Sequence, residues 1–329
     1  MGSGIGKLVL HIGTHKTGSS AIQDSLVRGD HQLEAEGTLY PRAGRIPSSG
    51  GHLNICWEWA SDQRFKPERG TRSDLRAEVL RQRWQTVVVS AETFTARGER
   101  NVRLAERLVE EIAPQQVVIV GYVRPQWSYM ESHYTQRVKQ GHTSTSFDEY
   151  VQHHLTDDRF DYPRLFAPWR EAFGERLVVR PYSRDVIDDF WRLAGIGIPP
   201  PLDGGINVRP GAKAIEMLRS MHAAIKPPKE SRSRLFAWAR KWLQENLEDD
   251  VPFRALTDEL AATIDERFRD ANREFASTYW SQADPPIFKL PELPSLSTWT
   301  LADATREERQ AMGSLLLNAR LRLKRLQRE

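Results

Sequence analysis

The sequence predicts an α/β protein built on a doubly wound parallel sheet flanked by helices, followed by a helical C-terminal part. Three observations carry this expectation. Short apolar runs at residues 8–12, 86–89 and 117–123 alternate with segments of helical period, the pattern of strands joined by crossover helices. The first of these runs feeds directly into the glycine-containing loop HIGTHKTGSS, a strand–loop–helix junction. Beyond Gly211 the strand signals stop and helical patterns take over.

Taken in order, residues 8–12 form a buried strand. Residues 19–27 form a helix with Ala21, Ile22 and Leu26 on one face. Residues 37–51 are rich in Gly, Pro and Ser and read as an irregular excursion. The β-branched run at 86–89 ends at Ser90-Ala91-Glu92, and residues 101–112 are helical. VVIVGYV, residues 117–123, is the strongest strand signal and ends at Arg124-Pro125, with a helix following through about residue 138. A further strand at 177–179 also runs into Arg-Pro. The Pro-rich residues 198–201 then separate this part from the rest. In the C-terminal part, KPPKESRSR at 226–234 reads as an exposed basic loop, 253–279 as largely helical and 285–294 as an extended connection. Residues 306–329 read as an amphipathic helix with Met312, Leu315, Leu316, Ala319 and Leu323 on one face. The expected division is one domain over 1–285, with a core at about 7–211 and a helical part at 212–285, and a C-terminal extension over 286–329 carrying the terminal helix.

Composition narrows the function classes. Apolar content of 39% with 28% charged residues suits a globular chain. A formal net charge of only +3 is a mixed surface with room for a local anion site, and argues against a general nucleic-acid binder. The single cysteine, Cys56, excludes an intramolecular disulfide and a cysteine-rich zinc site. No apolar run has the length of a membrane span, and MGSGIGKLVLHIG lacks the apolar stretch and cleavage site of a signal peptide. A cytoplasmic location is the expectation.

The loop HIGTHKTGSS looks like a phosphate-binding loop with its lysine displaced. Gly13 and Gly18 have the spacing of G-x-x-x-x-G-K-[ST], but Ser19 stands where that lysine belongs and Lys16 lies inside the loop. A strand–loop–helix presents backbone N–H groups and a helix dipole to an anion. Lys16 adds a point charge, and the hydroxyls of Ser19 and Ser20 either cap the helix or donate to an oxyanion. A capped turn without ligand is the plainer alternative. A magnesium-dependent kinase requires the lysine after the second glycine and an aspartate at a neighbouring strand end; the neighbouring strands end instead in Ser90-Ala91-Glu92 and Val123-Arg124.

A second element lies in YVRPQWSYMESHYTQRVKQG, where Arg124 at a strand end is followed eight positions later by Ser132. A planar cation and a short hydroxyl suit a phosphate. With both elements in place, the sequence resembles the sulfotransferases that use 3′-phosphoadenosine-5′-phosphosulfate (PAPS), with the flavour of bacterial and glycan-sulfating members. GTHKTGSS matches their strand–loop–helix with an internal lysine, Arg124-x₇-Ser132 matches their second motif, and WREAFGERLVVRPY at 169–182 is similar to their later strand. The resemblance covers about residues 7–280. It implies a P-loop-like fold. His15, Lys16, Thr17, Gly18, Ser19 and Ser20 would hold the 5′-phosphosulfate, and Arg124 and Ser132 the 3′-phosphate. Arg209, in Asn207-Val208-Arg209-Pro210-Gly211, would stand in a third cofactor element, although this stretch departs from the Arg-Lys-Gly form of the cytosolic small-molecule members.

The implied reaction moves a sulfuryl group in line from PAPS to an acceptor hydroxyl or amine, leaving adenosine 3′,5′-bisphosphate, without a metal. Lys16 would stabilise charge on the leaving phosphate. The general base is Glu92, past a strand end, or His52, in the irregular segment. Structural readings stand beside both: a salt-bridge partner for Glu92 and a loop histidine for His52. His133 reads as structural and His153-His154 as a surface pair. Tyr40, Arg42, Trp57 and Trp59 fall where an acceptor would bind, and their chemistry, with the resemblance, points to a carbohydrate or glycolipid. The alternatives are a P-loop-like nucleotide-dependent kinase and a non-catalytic nucleotide-binding protein.

Overall fold

The computed structural model describes residues 4–201, 211–249, 251–280, 288 and 299–328. In chain order the elements are β1 (Ile5–Gly13), α1 (Ser19–Arg28), α2 (Asp30–Ala35), β2 (Thr38–Leu39), α3 (Leu53–Trp59), α4 (Arg72–Val79), β3 (Trp84–Ser90), α5 (Glu99–Ile112), β4 (Gln116–Val123), α6 (Gln126–Lys139), α7 (Phe147–His154), α8 (Tyr162–Phe173), β5 (Leu177–Pro181), α9 (Val186–Ala194), α10 (Ala212–Ile225), α11 (Lys229–Asn246), α12 (Asp258–Tyr279) and α13 (Arg306–Leu326). They fall into two compact units that are discontinuous in sequence. The first comprises residues 1–124, 157–204 and 269–287, and the second 125–156, 205–268 and 288–329.

The first unit is the α/β part. Its five strands are all parallel, in the order β2-β3-β1-β4-β5. Val9 lies opposite Val88 on one side and Val118 on the other, and the consecutive residues Leu8, Val9 and Leu10 of β1 and Val87, Val88 and Val89 of β3 are all fully buried, so the central strands bury apolar side chains on both faces. One face packs Val9, Val88, Val120 and Tyr122 against Ile22 and Leu26 of α1, Leu33 of α2, and Phe190 and Trp191 of α9. On the other, Gly121 leaves space for Phe166 of α8: a Cβ at Gly121 would stand 2.9 Å from the Phe166 ring.

The strand order places the site. From β1 the chain leaves towards β2, and from the adjacent β4 it leaves towards β5. Connections diverging from neighbouring parallel strands open a crevice at their C-terminal ends, where ligands bind in such sheets. The loops in question are the one after Gly13 and the one starting at Arg124.

The second unit is helical among its described residues. Tyr134, Val138, Phe147 and Tyr150 of α6 and α7 are buried, as are Leu218 and Met221 of α10, Leu235 and Phe236 of α11, and Leu315 and Ala319 of α13. α13 starts with a Thr305–Glu308 capping box, packs on α10 and α11, and ties Glu308 to Lys213 at 2.9 Å. The terminal helix is therefore a wall of this unit. The basic stretch 226–234 is not a loop throughout, because α11 begins at Lys229, behind Pro228, and buries Ser231. Arg209 and most of the stretch 285–294 lie outside the described residues. Among the described residues no helix is long and apolar enough to cross a membrane.

Candidate functional site

The loop after β1 is held from within. Gly13 (φ +98°), Lys16 (φ +65°) and Gly18 (φ +82°) all take positive φ, which for a non-glycine residue such as Lys16 costs about 1–2 kcal/mol and calls for surrounding support. That support is visible. The Thr14 carbonyl accepts hydrogen bonds from the hydroxyls of Thr17 (2.7 Å) and Ser19 (3.1 Å). The Thr14 N–H and hydroxyl both donate to the Tyr122 carbonyl of β4, each at 3.0 Å. Gly18 is pressed against the next layer, since a Cβ there would lie 2.7 Å from Val186 and 3.0 Å from Tyr182.

Two consequences correct the reading from sequence. The Thr17 and Ser19 hydroxyls spend their single protons on Thr14, so they brace the loop, and the loop's other donors are the backbone, the Ser20 hydroxyl and Lys16. Gly18 is the N-cap of α1 and offers no side-chain cap; its carbonyl accepts from the Ala21 N–H at 2.9 Å, which leaves the Ser19 and Ser20 N–H groups without an internal acceptor. Ser20 is exposed beside them, and His15 and Lys16 are half-buried.

Arg124 meets this loop. Its Nη1–H donates to the Lys16 carbonyl at 2.8 Å, and its guanidinium lies over the Tyr182 ring at 5.4 Å. The Tyr162 hydroxyl in turn donates to the Arg124 carbonyl. The two motif elements, 108 residues apart, are thus joined at the switch point of the sheet. Ser132 is half-buried on α6, in the second unit, whereas Arg124 closes a segment of the first.

Glu92 stands on the other side of the loop. Gly13 would bring a Cβ within 3.0 Å of the Glu92 Cα, so only glycine admits this approach. The Gln23 side-chain amide donates to the Glu92 carboxylate (3.0 Å) and to the Ser90 hydroxyl (3.2 Å). His15 is held below its ordinary value mainly by burial. The nearby Glu92 carboxylate opposes this, and the charges of Arg159 and Lys16 add to it. Lys16, His15, Glu92 and Arg124 therefore share one neighbourhood.

His52 belongs elsewhere. It is fully buried. Its Nδ1 accepts from the Ser90 N–H (3.2 Å) and its Nε2–H donates to the Pro41 carbonyl (2.8 Å), which fixes the tautomer and occupies both nitrogens. Burial, with the charge of Arg45, lowers it to about 3. The side chain braces residues 37–51 against the end of β3 and has no lone pair for a substrate proton. The proposed acceptor residues fare similarly. Tyr40 is buried and donates to the Gly50 carbonyl (2.8 Å), Trp57 is buried in α3, and the Arg42 guanidinium pairs with Glu34. Arg42 nevertheless stays exposed, and Trp59 is half-buried beside a depression also lined by Glu99, Arg100 and Arg103. His133 hydrogen-bonds Tyr150 through Nδ1, and His154 stacks on Tyr150 at 4.0 Å.

Gln23, Tyr162 and Tyr182 escaped the sequence reading. Gln23 carried a faint signal, a polar side chain between Ile22 and Leu26 four positions after the helix start. The two tyrosines carried none. No protein-family model and no curated protein matches this chain.

Proposed function

We propose that the protein is a PAPS-dependent sulfotransferase with a P-loop-like fold, delivering a sulfuryl group to an acceptor hydroxyl or amine. The observation that carries this reading is the hydrogen bond from Arg124 to the Lys16 carbonyl at the diverging ends of β1 and β4. It unites the two elements that the family resemblance assigns to opposite ends of one bisphosphorylated nucleotide. The donor set fits such a ligand: N–H groups at a helix start, a lysine inside the loop, and an arginine stacked over Tyr182.

The backbone at 17–20, the Ser20 hydroxyl and the Lys16 ammonium would hold the 5′ end, and Arg124 would hold the 3′-phosphate. When bound, the cofactor supplies an activated sulfuryl group on a phosphate leaving group. The Lys16 ammonium would stabilise the negative charge that develops on the leaving phosphate. Glu92, aligned by Gln23, takes the acceptor proton. His15 lies near both and is held below its ordinary value mainly by its burial. With Tyr40 and Trp57 buried, a carbohydrate or glycolipid acceptor rests on the resemblance and on the aromatic face of Trp59.

Thermal melting tests the reading. Adenosine 3′,5′-bisphosphate raises the melting temperature, the stabilisation reaching about 2.7 kcal/mol at a hundredfold excess over its Kd. Lys16→Ala leaves the unliganded melt in place but abolishes sulfuryl transfer. A shift with ATP and magnesium but none with the bisphosphate overturns the proposal in favour of a kinase. Binding without transfer across a broad acceptor panel overturns its enzymatic part.

A further inference from the structure

The basic stretch after Lys226 and the C-terminal end of α6 come together within the second unit, and neither is used in the reading above. Arg137 and Lys139 lie in the last turn of α6. The chain then turns through Gly141, whose Cβ would stand 2.4 Å from the Phe236 ring of α11, so glycine lets the turn sit on that helix. The Arg137 Nη2–H donates to the His142 carbonyl at 3.2 Å, and the His142 N–H to the Arg137 carbonyl at 2.7 Å. His222 of α10 packs edge-on to Phe236 at 5.5 Å. From α11, Arg232 acts electrostatically on both His142 and His222, and the Arg240 guanidinium donates to the Lys139 carbonyl.

Six basic side chains are thus gathered on three helices and one turn. His142 is exposed and the other five are half-buried. Among the described residues no carboxylate pairs with any of them. Glu216 of α10 is taken by Arg219 at 2.6 Å, and Glu308 of α13 by Lys213. Two polar atoms of the cluster are buried with no partner: Nε of Arg232, a donor, and Nδ1 of His222, which becomes a donor on protonation. Lys139 and Arg240 are each held below their ordinary values by burial, and Lys139 further by Arg240. Burying like charges together is unfavourable without a counter-charge.

We propose that this cluster is a binding site for a tetrahedral oxyanion, the sulfate or phosphate ester group of an organic ligand. The exposed His142 meets its oxygens at the surface, and Arg137, Arg232 and His222 around it, with Lys139 and Arg240 beyond, supply the positive field. The site belongs to the second unit alone and stands whether or not the first unit transfers sulfate.

The test compares sodium sulfate with sodium chloride at equal ionic strength, following the histidine ring protons by NMR over a pH titration of the full chain. Sulfate remains a dianion throughout. A bound dianion favours the charged imidazole and raises the titration midpoints of His222 and His142, by about one pH unit. Arg232→Gln, scored only if its melt in chloride is retained, abolishes that rise. The wild-type comparison stands without any variant. A sugar sulfate and the matching sugar phosphate identify which ester is preferred, and tighter binding of either supports the site. Equal midpoints in sulfate and chloride overturn it, leaving the cations to complement the C-terminal ends of α6 and α10.

Discussion

Acidification is expected to destabilise the first unit through two buried imidazoles, His11 and His52. Both are fully buried and each is lowered to about 3, mainly by burial. In the unfolded chain a histidine titrates near 6.5. Above that value neither state binds the proton and the stability is fully present. As the pH falls from about 6.5 towards 3 the unfolded chain takes up protons that the native chain refuses, so stability is lost across that window. At about pH 5 the deficit is one and a half units, or about 2 kcal/mol for each histidine and about 4 kcal/mol for the pair. The assay is proton uptake on unfolding in urea near pH 5, by potentiometric comparison of native and unfolded solutions. It counts protons directly and needs no two-state assumption. His52→Gln should lower the uptake by about one proton per chain, and His11→Gln by about one more. The His52 variant also loses the brackets to Ser90 and Pro41, at about 1–3 kcal/mol even at neutral pH. Equal uptake by the wild type and His52→Gln would show that the imidazole titrates normally in the native state and would refute the burial argument.

Gly18→Ala should destabilise the first unit by about 2–5 kcal/mol in urea unfolding, since φ +82° and the 2.7 Å approach to Val186 are both penalised. Glu92→Gln should lower kcat by about 10²–10⁴-fold while the bisphosphate melting shift is kept; loss of both together would make Glu92 structural. Gln23→Leu should cut kcat by about tenfold or more while the bisphosphate melting shift is kept, because it frees the carboxylate that Gln23 aligns. An unchanged kcat would deny it that positioning role. Arg124→Ala should weaken bisphosphate binding by about 10–100-fold in calorimetry, and an unchanged Kd would detach Arg124 from the site.

The strands were legible because each central one is a β-branched apolar run with turn residues at its end, and burial on both faces permits no other pattern. What escaped lacked that economy of signal. α2 reads DHQLEA and buries only Leu33, so it has no stripe to detect. β2 is two residues long and is a strand only because β3 lies beside it. The first turns of α11, KESRSR, look like solvated loop, yet Ser231 is buried and begins the face continued by Leu235 and Phe236. The site divides in the same way. Lys16 and Arg124 were visible because strand ends are where such sheets bind. Gln23 and His52 were not, because their roles come from partners far away in sequence: Ser90 and Glu92 for Gln23, and Ser90 and Pro41 for His52. A histidine in an irregular segment looks free until the fold shows what holds the segment down.

The position of the loop lysine follows from the same contacts. At residue 19 the side chain is buried and its hydroxyl closes the loop on Thr14. A lysine there would bury its stem where that hydrogen bond is made and leave the Thr14 carbonyl with one donor fewer. Residue 16 is free of this constraint. Its side chain is half-buried, and its left-handed backbone directs its carbonyl to Arg124 at the neighbouring strand end. The arginine that would grip one end of a nucleotide thus also anchors the peptide carrying the cation for the other end. Loss of Arg124 should therefore disturb Lys16 as well as the 3′ end, and the effects of Arg124→Ala and Lys16→Ala on bisphosphate binding should be less than additive. Additive losses in a double-mutant cycle would mean that the hydrogen bond between them does not couple the two ends.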